Sequence, residues 1–275
     1  MTGPTLATRI DEAWTGLTPH EQRVAGFLRS RPEESALYNS SELARLTGVS
    51  KATVSRLFRR LGFTGSQEVR DLLRAQRTAG VPVVVDALAD AAAVSLARDV
   101  GNLQRFAAAL DTGALGAAAA AIAAAPRVVV TGFRSGFPIA ALLRQALAQA
   151  RADVRLVPEA AQTIAEELVG LGPEDAVVIV GLRRRPSGFG EMAAAARAIT
   201  PNLVLIADPT LRPTAARWRF DVPIESASPF DSYAAAASLV SVLAGEVLAR
   251  CGAEGAERVR SIDRAYAALG ELEPS

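Results

Sequence analysis

Residues 39–62 read NSSELARLTGVSKATVSRLFRRLG, a stretch that holds two helix starts, a glycine turn and one apolar helical stripe. Asn39-Ser40-Ser41-Glu42 has the form of a capping box, in which the first side chain accepts from the helix's opening amides and the glutamate reaches back. Leu43, Ala44 and Leu46 carry a short helix from it, Thr47-Gly48-Val49 makes a tight turn, Ser50 caps the next helix, and Gly62 supplies a stop after Leu61. Two short helices joined through a glycine turn are the helix-turn-helix signature. In the second helix Val54, Leu57, Phe58 and Leu61 recur at i, i+3, i+4 and i+7 and form a core face. That register leaves Lys51, Thr53, Arg56, Arg59 and Arg60 outward.

A recognition helix enters the major groove with its N-terminal residues toward base edges and its later basic residues toward phosphates. Ser50, Lys51, Thr53 and Arg56 are accordingly the base-edge candidates, with Arg56 the natural reader of guanine, and Arg59 and Arg60 are the backbone grips. The competing reading is a plain helical hairpin with basic ends. Charge distribution bears on the choice. The 275 residues carry 30 Lys+Arg and 29 Asp+Glu, a formal +1. Residues 1–80 hold twelve Lys+Arg against eight Asp+Glu, so +4 there is offset by −3 in the remainder. Within 40–62 five basic residues face Glu42 alone, the electrostatic footprint of a nucleic-acid reader.

The flanks fit a small helical domain. Thr18-Pro19-His20-Glu21 reads as another capping box, with Pro19 at the first helical position. Its helix, with Val24, Phe27 and Leu28 on one face, is predicted to run until Pro32. His20, at that helix start, is expected to be exposed and without a chemical role. Residues 63–66 start a fourth helix whose Val69, Leu72 and Leu73 close a four-helix core. The set formed by residues 18–25, 41–44, 48–56 and 61–65 resembles the DNA-binding domain of the RpiR (MurR/RpiR) family of bacterial transcriptional regulators. The resemblance spans most of residues 15–77.

Composition excludes several classes. Half the residues are apolar, which rules out disorder as the dominant state. Cys251 is the single cysteine and His20 the single histidine, so neither an intramolecular disulfide nor a structural zinc site is expected. The first nine residues lack the basic and apolar run of a secretory signal. A segment of about 18 strongly apolar residues is not evident, so no membrane association and a cytoplasmic location are expected.

Beyond residue 80 the pattern changes. Residues 81–125 are Ala-rich and helical in tendency, with breaks expected at Pro82, Gly101 and Gly113. Strands are predicted at 127–131, 153–157, 176–180, 203–207 and 220–224, with helices at about 138–150, 162–169, 189–199 and 232–250. Alternating strands and helices predict a doubly wound α/β domain with a parallel sheet. The organisation is therefore an all-α helix-turn-helix domain over 1–78, a helical linker over 79–112 and the α/β domain over 113–275.

Such sheets bind ligands beyond the carboxyl ends of their strands. The first loop offers Gly132, Arg134, Ser135 and Gly136 ahead of a helix N-terminus, ingredients suited to a phosphate-like anion. A purely structural tight turn is the alternative. Residues 115–250 resemble the SIS (sugar isomerase) domain, which follows the DNA-binding domain in RpiR-like regulators and typically senses a phosphorylated sugar. The resemblance implies that Ser135 is the phosphate-binding serine of the first loop. After the third strand the family has a hydroxyl cluster, Ser-x-Ser-Gly-x-Ser/Thr, whereas this chain reads Gly181-Leu182-Arg183-Arg184-Arg185-Pro186-Ser187-Gly188. Arg183, Arg184 and Arg185 either hold an anion in place of the hydroxyls, with Ser187 as a displaced donor, or face solvent, a partner subunit or DNA.

The leading expectation is a non-enzymatic transcriptional regulator. It reads a double-stranded DNA operator as a homodimer or homotetramer, needs no cofactor or metal, and answers to a small anionic effector such as a sugar phosphate. One alternative is an SIS-type sugar-phosphate isomerase using Glu159, Glu166 or Glu167 as base. The other is a regulator whose SIS-like domain only oligomerises.

Overall fold

The computed structural model describes residues 6–30, 35, 38–78, 91–159, 161–228 and 230–272. The expected helix stop at Pro32, the boundary near residue 80 with Pro82, and Pro229 lie outside the described residues. The chain forms two compact units, Met1–Arg98 with Ser226–Asp231, and Asp99–Glu225 with Ser232–Ser275.

In the first unit α1 (Leu6–Ala13) leads through a 3-10 turn (Trp14–Gly16) to α2 (Pro19–Ser30), α3 (Ser40–Thr47), α4 (Lys51–Arg60) and α5 (Ser66–Thr78). Both capping boxes form. The Thr18 amide and hydroxyl donate to Glu21 Oε2 at 2.9 Å each, and the Glu21 amide returns to Thr18 Oγ1 at 3.4 Å. Asn39 Oδ1 accepts from the Ser41 and Glu42 amides at 2.9 and 3.1 Å, and the Asn39 amide donates to Glu42 at 2.7 Å. Caps of this kind contribute about 1 kcal/mol each. Gly48, at φ 64°, ends α3 in the left-handed conformation that only glycine takes without penalty.

Val24, Leu28, Leu43, Val54, Leu57, Phe58, Leu61, Val69 and Leu73 form the first unit's core as the periodicity requires. The core also holds Leu6 and Ile10 of α1, a helix the sequence reading did not include. Two apolar residues at i and i+4 in an eight-residue segment give too short a pattern to stand out.

The second unit takes α6 (Ala91–Ala109) from Asp99 onward, then α7 (Thr112–Ala124), β1 (Val128–Gly132), α8 (Gly136–Ala150), β2 (Val154–Val157), α9 (Ile164–Val169), β3 (Ala176–Gly181), α10 (Phe189–Ile199), β4 (Asn202–Ala207), β5 (Trp218–Asp221) and α11 (Ala234–Leu269). Its sheet is all parallel in the order β2-β1-β3-β4-β5. β3 is buried along its whole length, so its continuous Val/Ile run is the signature of a strand covered on both faces. One face packs Val128, Val130, Val178 and Val180 against α7, α8 and α11. The other packs Val129, Val177 and Ile179 against Leu168 of α9 and Phe189 of α10. The fold is thus a doubly wound α/β unit, as the alternation of strands and helices predicts.

Several details depart from expectation. Gly101 does not break the chain but sits inside α6, where Asn102, Leu103 and Phe106 pack and outweigh a glycine cost of about 1 kcal/mol. Gly113 likewise lies in the first turn of α7, behind Asp111, whose carboxylate accepts from the Ala114 amide at 2.9 Å. β5 begins two residues before the expected start, because Trp218 pairs with Val204 and brings its ring into the core, while Val222 and Ile224 are buried beyond the strand. α11 is longer than predicted and kinks at Gly252, φ 56° and ψ −132°. It also contains an 18-residue window of mean hydropathy 1.5, so a segment long and apolar enough to cross a bilayer does exist. Ala235, Leu239, Val240, Leu243 and Val247 of that helix are buried within the unit, the disposition of a core helix.

Gly136 tests how tightly the sheet and α8 are joined. A Cβ there would overlap the Val180 carbonyl oxygen, a backbone atom that cannot turn aside, whereas one at Gly188 meets nothing within 4 Å. Gly136→Ala is expected to destabilise by about 1–3 kcal/mol or more in denaturant unfolding, with Gly188→Ala near neutral. Equal effects would show that the approach is looser than described.

Candidate functional site

Helix α4 carries the first candidate surface. Ser50 is its N-cap, with Oγ accepting from the Thr53 amide at 3.1 Å and lying 2.9 Å from Thr53 Oγ1. Thr53 was expected to face outward and does not: it is 6% exposed, folded under the cap. The reason is the capping geometry itself, which draws the third helical residue toward Ser50. Arg56 Nη2 donates to Thr53 Oγ1 at 3.4 Å, so Ser50, Thr53 and Arg56 form one hydrogen-bonded run at the start of α4. Lys51, Arg56 and Arg59 are exposed on the outer side.

Arg60 is also exposed, but its guanidinium is turned inward. It donates to the Gly16 carbonyl and stands 3.5 Å from the Glu21 carboxylate, whose side chain is only 4% exposed. Burial pushes the Glu21 carboxyl up, yet the Thr18 hydrogen bonds and the charges of Arg60 and Arg56 prevail and hold it below the usual carboxylate range. Glu21 was read as a capping residue alone; its second role requires the chain to fold 39 residues back on itself, which local pattern does not reveal. Arg9 was missed as well. It donates to the Leu61 carbonyl at 3.0 Å and lies over the Phe63 ring at 4.5 Å, closing the end of α4. His20, exposed as expected, contacts Arg23 through Nδ1.

The second candidate surface lies where β1 and β3 neighbour each other. The chain leaves β1 toward α8 on one face and leaves β3 toward α10 on the other, which makes a topological switch point, the place where sheets of this kind offer a crevice to ligands. Gly132, Arg134, Ser135 and Gly136 lie on one lip, and Arg183, Arg184, Arg185 and Ser187 on the other. Arg134, at φ 54°, and Arg184, at φ 66°, both occupy the left-handed region, a conformation that costs a side-chain-bearing residue about 1–2 kcal/mol. Ser135 precedes α8 and is half-buried, its side chain making no cap to the helix. Ser187 is exposed.

The three arginines are not equivalent. Arg183 is 7% exposed. Arg185 donates from Nη1 to the Gly181 carbonyl at 2.8 Å and to Asp208 at 2.5 Å, and from Nη2 to Thr210 at 2.8 Å. Asp208 is fully buried and also accepts from the Thr210 amide at 2.9 Å. Arg185 is therefore committed to joining the ends of β3 and β4. Beneath this rim Thr131, in register with Val157 and Ile179, buries a hydroxyl that has no hydrogen-bond partner among the described residues.

The carboxylates considered as bases sit differently. Glu166 accepts from the Thr163 amide at 2.8 Å as the capping residue of α9, and bonds from the Thr163 amide and hydroxyl hold its carboxyl below the usual range. Glu159 lies on a separate cavity of about 400 Å³ beside Phe137 and Pro158, and Glu167 is half-buried on α9. A larger cavity of about 650 Å³ lies at the opposite end of the sheet, lined by Arg151, Arg250, Cys251 and Arg258. There Arg151 donates to the Ile122 and Ala125 carbonyls at 2.6 and 2.5 Å, and Arg258 to that of Ala148 at 2.8 Å, so they satisfy the C-terminal ends of α7 and α8. Among the described residues no three His, Cys, Asp or Glu side chains are grouped to hold a metal ion.

Two substitutions probe the crevice. Thr131→Val removes an unpaired buried hydroxyl at nearly constant shape, so unfolding stability is expected to hold or rise by about 1 kcal/mol; a clear loss would mean that the hydroxyl is paired. Asp208→Ala leaves Arg185 without its counter-charge and is expected to cost about 3–5 kcal/mol.

Comparison with known proteins follows the same division. Residues 5–80 match the helix-turn-helix domain of the rpiR family. The sugar isomerase domain of an RpiR transcription factor from Sphaerobacter thermophilus is similar in fold, with TM-score 0.57 and 22% identity, over 62% of this chain and 96% of that one. The NanR protein of Vibrio vulnificus, in a complex with ManNAc-6P, is similar with TM-score 0.57 and 19% identity, over 96% of this chain and 99% of that one.

Proposed function

We propose that this chain, whose residues 5–80 form a helix-turn-helix domain of the rpiR family, is a DNA-binding transcriptional regulator controlled by a small anionic metabolite of the phosphorylated-sugar class. The observation that carries the reading is α4 itself: a capped helix packed through Val54, Leu57 and Phe58 that presents Lys51, Arg56 and Arg59 outward from one face. That is the surface a major groove requires, with donors for base edges at the helix start and a cation for phosphate further on. Thr53 contributes by fixing Ser50 and Arg56 rather than by reaching a base. One such module buries little surface, so the protein acts as a symmetric oligomer on a palindromic site.

The crevice between β1 and β3 is the effector site in this reading. Arg134 and Ser135, at the loop that leaves β1, supply a cation and a hydroxyl suited to a phosphate or carboxylate. The NanR protein, similar in fold, is a ManNAc-6P complex, which supports a phosphorylated sugar as the class to test first. Of the carboxylates an isomerase could use as base, Glu166 is taken up in capping α9, where the Thr163 bonds hold its carboxyl below the ordinary range.

For the operator selected from a random duplex pool, Arg56→Ala is expected to lower affinity by about 1–3 kcal/mol and relax preference at one base position. Retention of both affinity and preference would displace Arg56 from the base edge. For the effector, thermal unfolding in the presence of phosphorylated sugars and amino sugars is expected to show stabilisation by at least one of them. Arg134→Ala with Ser135→Ala should abolish that shift while DNA affinity is kept. No shift with any of these anions would favour a scaffold role for the second unit.

A further inference from the structure

We propose that Glu21 is a positioning residue of the DNA-reading helix, holding Arg60 against the turn before α2 so that Arg60 docks α4 instead of neutralising a phosphate. The inference rests on the DNA-binding reading and divides the two arginines at the end of α4, which the sequence treats alike. Arg60 Nη1 has two partners on the first unit's own framework, the Gly16 carbonyl and the Glu21 carboxylate at 3.5 Å. The carboxylate is itself fixed, since the amide and hydroxyl of Thr18 donate to the same oxygen at 2.9 Å. The two side chains differ sharply in exposure, 48% for Arg60 and 4% for Glu21, so the pair is a cation at the surface resting on an anion below it.

That asymmetry decides the cost of moving Arg60. An exposed ion pair contributes little and is readily exchanged for another partner. A buried carboxylate that loses its cation is left with an uncompensated charge, which is far more costly. Swinging Arg60 to a phosphate would strip Glu21 in this way, and Arg59 has no such restraint in the described geometry. The charge of Arg56 adds, after that of Arg60, to what holds the Glu21 carboxyl below its usual range. The result is a tie between the start of α2 and the end of α4.

Counterion release supplies a readout that a merely structural pair would not move. The affinity of the full chain for a mixed-sequence DNA duplex is measured against salt concentration, for the wild type and for Arg59→Ala, Arg60→Ala and Glu21→Gln. Loss of one phosphate contact flattens the log–log slope by about 0.9. Arg59→Ala is expected to flatten it by that amount, Arg60→Ala to leave it unchanged, and Glu21→Gln to steepen it, because the released Arg60 becomes available to a phosphate. Arg60→Ala flattening the slope as Arg59→Ala does, or Glu21→Gln leaving it unchanged, would overturn the proposal. Thermal melting of the same variants with the double substitution tests the tie without DNA: the double variant is expected to melt no lower than the weaker single one, and additive losses would overturn it. Salt-independent or absent duplex binding by the wild type would instead remove the DNA-binding reading, with the melting comparison still deciding whether Glu21 holds Arg60.

Discussion

The backbone between β1 and α8 lies so close to β3 that no side chain fits between them. Gly136 stands against the Val180 carbonyl, and a Cβ on Gly132 would lie 2.5 Å from the Gly136 carbonyl oxygen. Gly181 is equally confined, its missing Cβ replaced by the Phe189 ring. These three glycines stand where the chain leaves β1 and β3, confined by backbone at Gly132 and Gly136 and by the Phe189 ring at Gly181. In the first loop Gly132 and Gly136 leave room for the protein's own backbone to approach itself.

Arginine does much of the joining in both units, and the chain is nearly neutral because its 30 Lys+Arg are matched by 29 Asp+Glu. Arg127 meets Asp175 at 3.1 Å below the sheet and Arg185 meets Asp208 above it, while Arg151 and Arg258 satisfy helix carbonyls. In the first unit Arg9 and Arg60 are turned onto the fold in the same way. What distinguishes the face of α4 is therefore not the abundance of arginine but the subset left pointing outward: Lys51, Arg56 and Arg59.

The capping boxes at Thr18 and Asn39, the stripe through Val54 and Phe58, and the alternation of strands and helices were legible because each is a local pattern of a few residues. Helix α1 was not, since Leu6 and Ile10 make too short a stripe, and neither was the burial of Thr53, which depends on the direction of one hydroxyl. The second lip shows the limit best. Residues 183–185 are three identical side chains in sequence, yet one is buried, one takes a left-handed backbone and one is bound to Asp208. Asp208 lies 23 residues further on and meets Arg185 only because β3 and β4 are neighbours in register. Local pattern identifies which residues are chemically able; sheet order determines which of them are already committed.

The two units also differ in where they concede stability. Around α4 the described caps are made and the buried Glu21 carboxylate has two donors and a cation, while Arg9 Nε and Arg70 Nε are buried without a hydrogen-bond partner among the described residues. At the ends of β1 and β3 Arg134 and Arg184 hold a disfavoured backbone conformation, as Asp153 and Ala161 do elsewhere in the unit, and Thr131 buries an unpaired hydroxyl. Such concessions persist only where the surrounding packing over-determines them, and they gather at sites selected for something other than stability. A ligand that relieves even part of the strain at one of those loops gains differential affinity for one arrangement over another, and differential affinity is the only means by which binding shifts a conformational equilibrium.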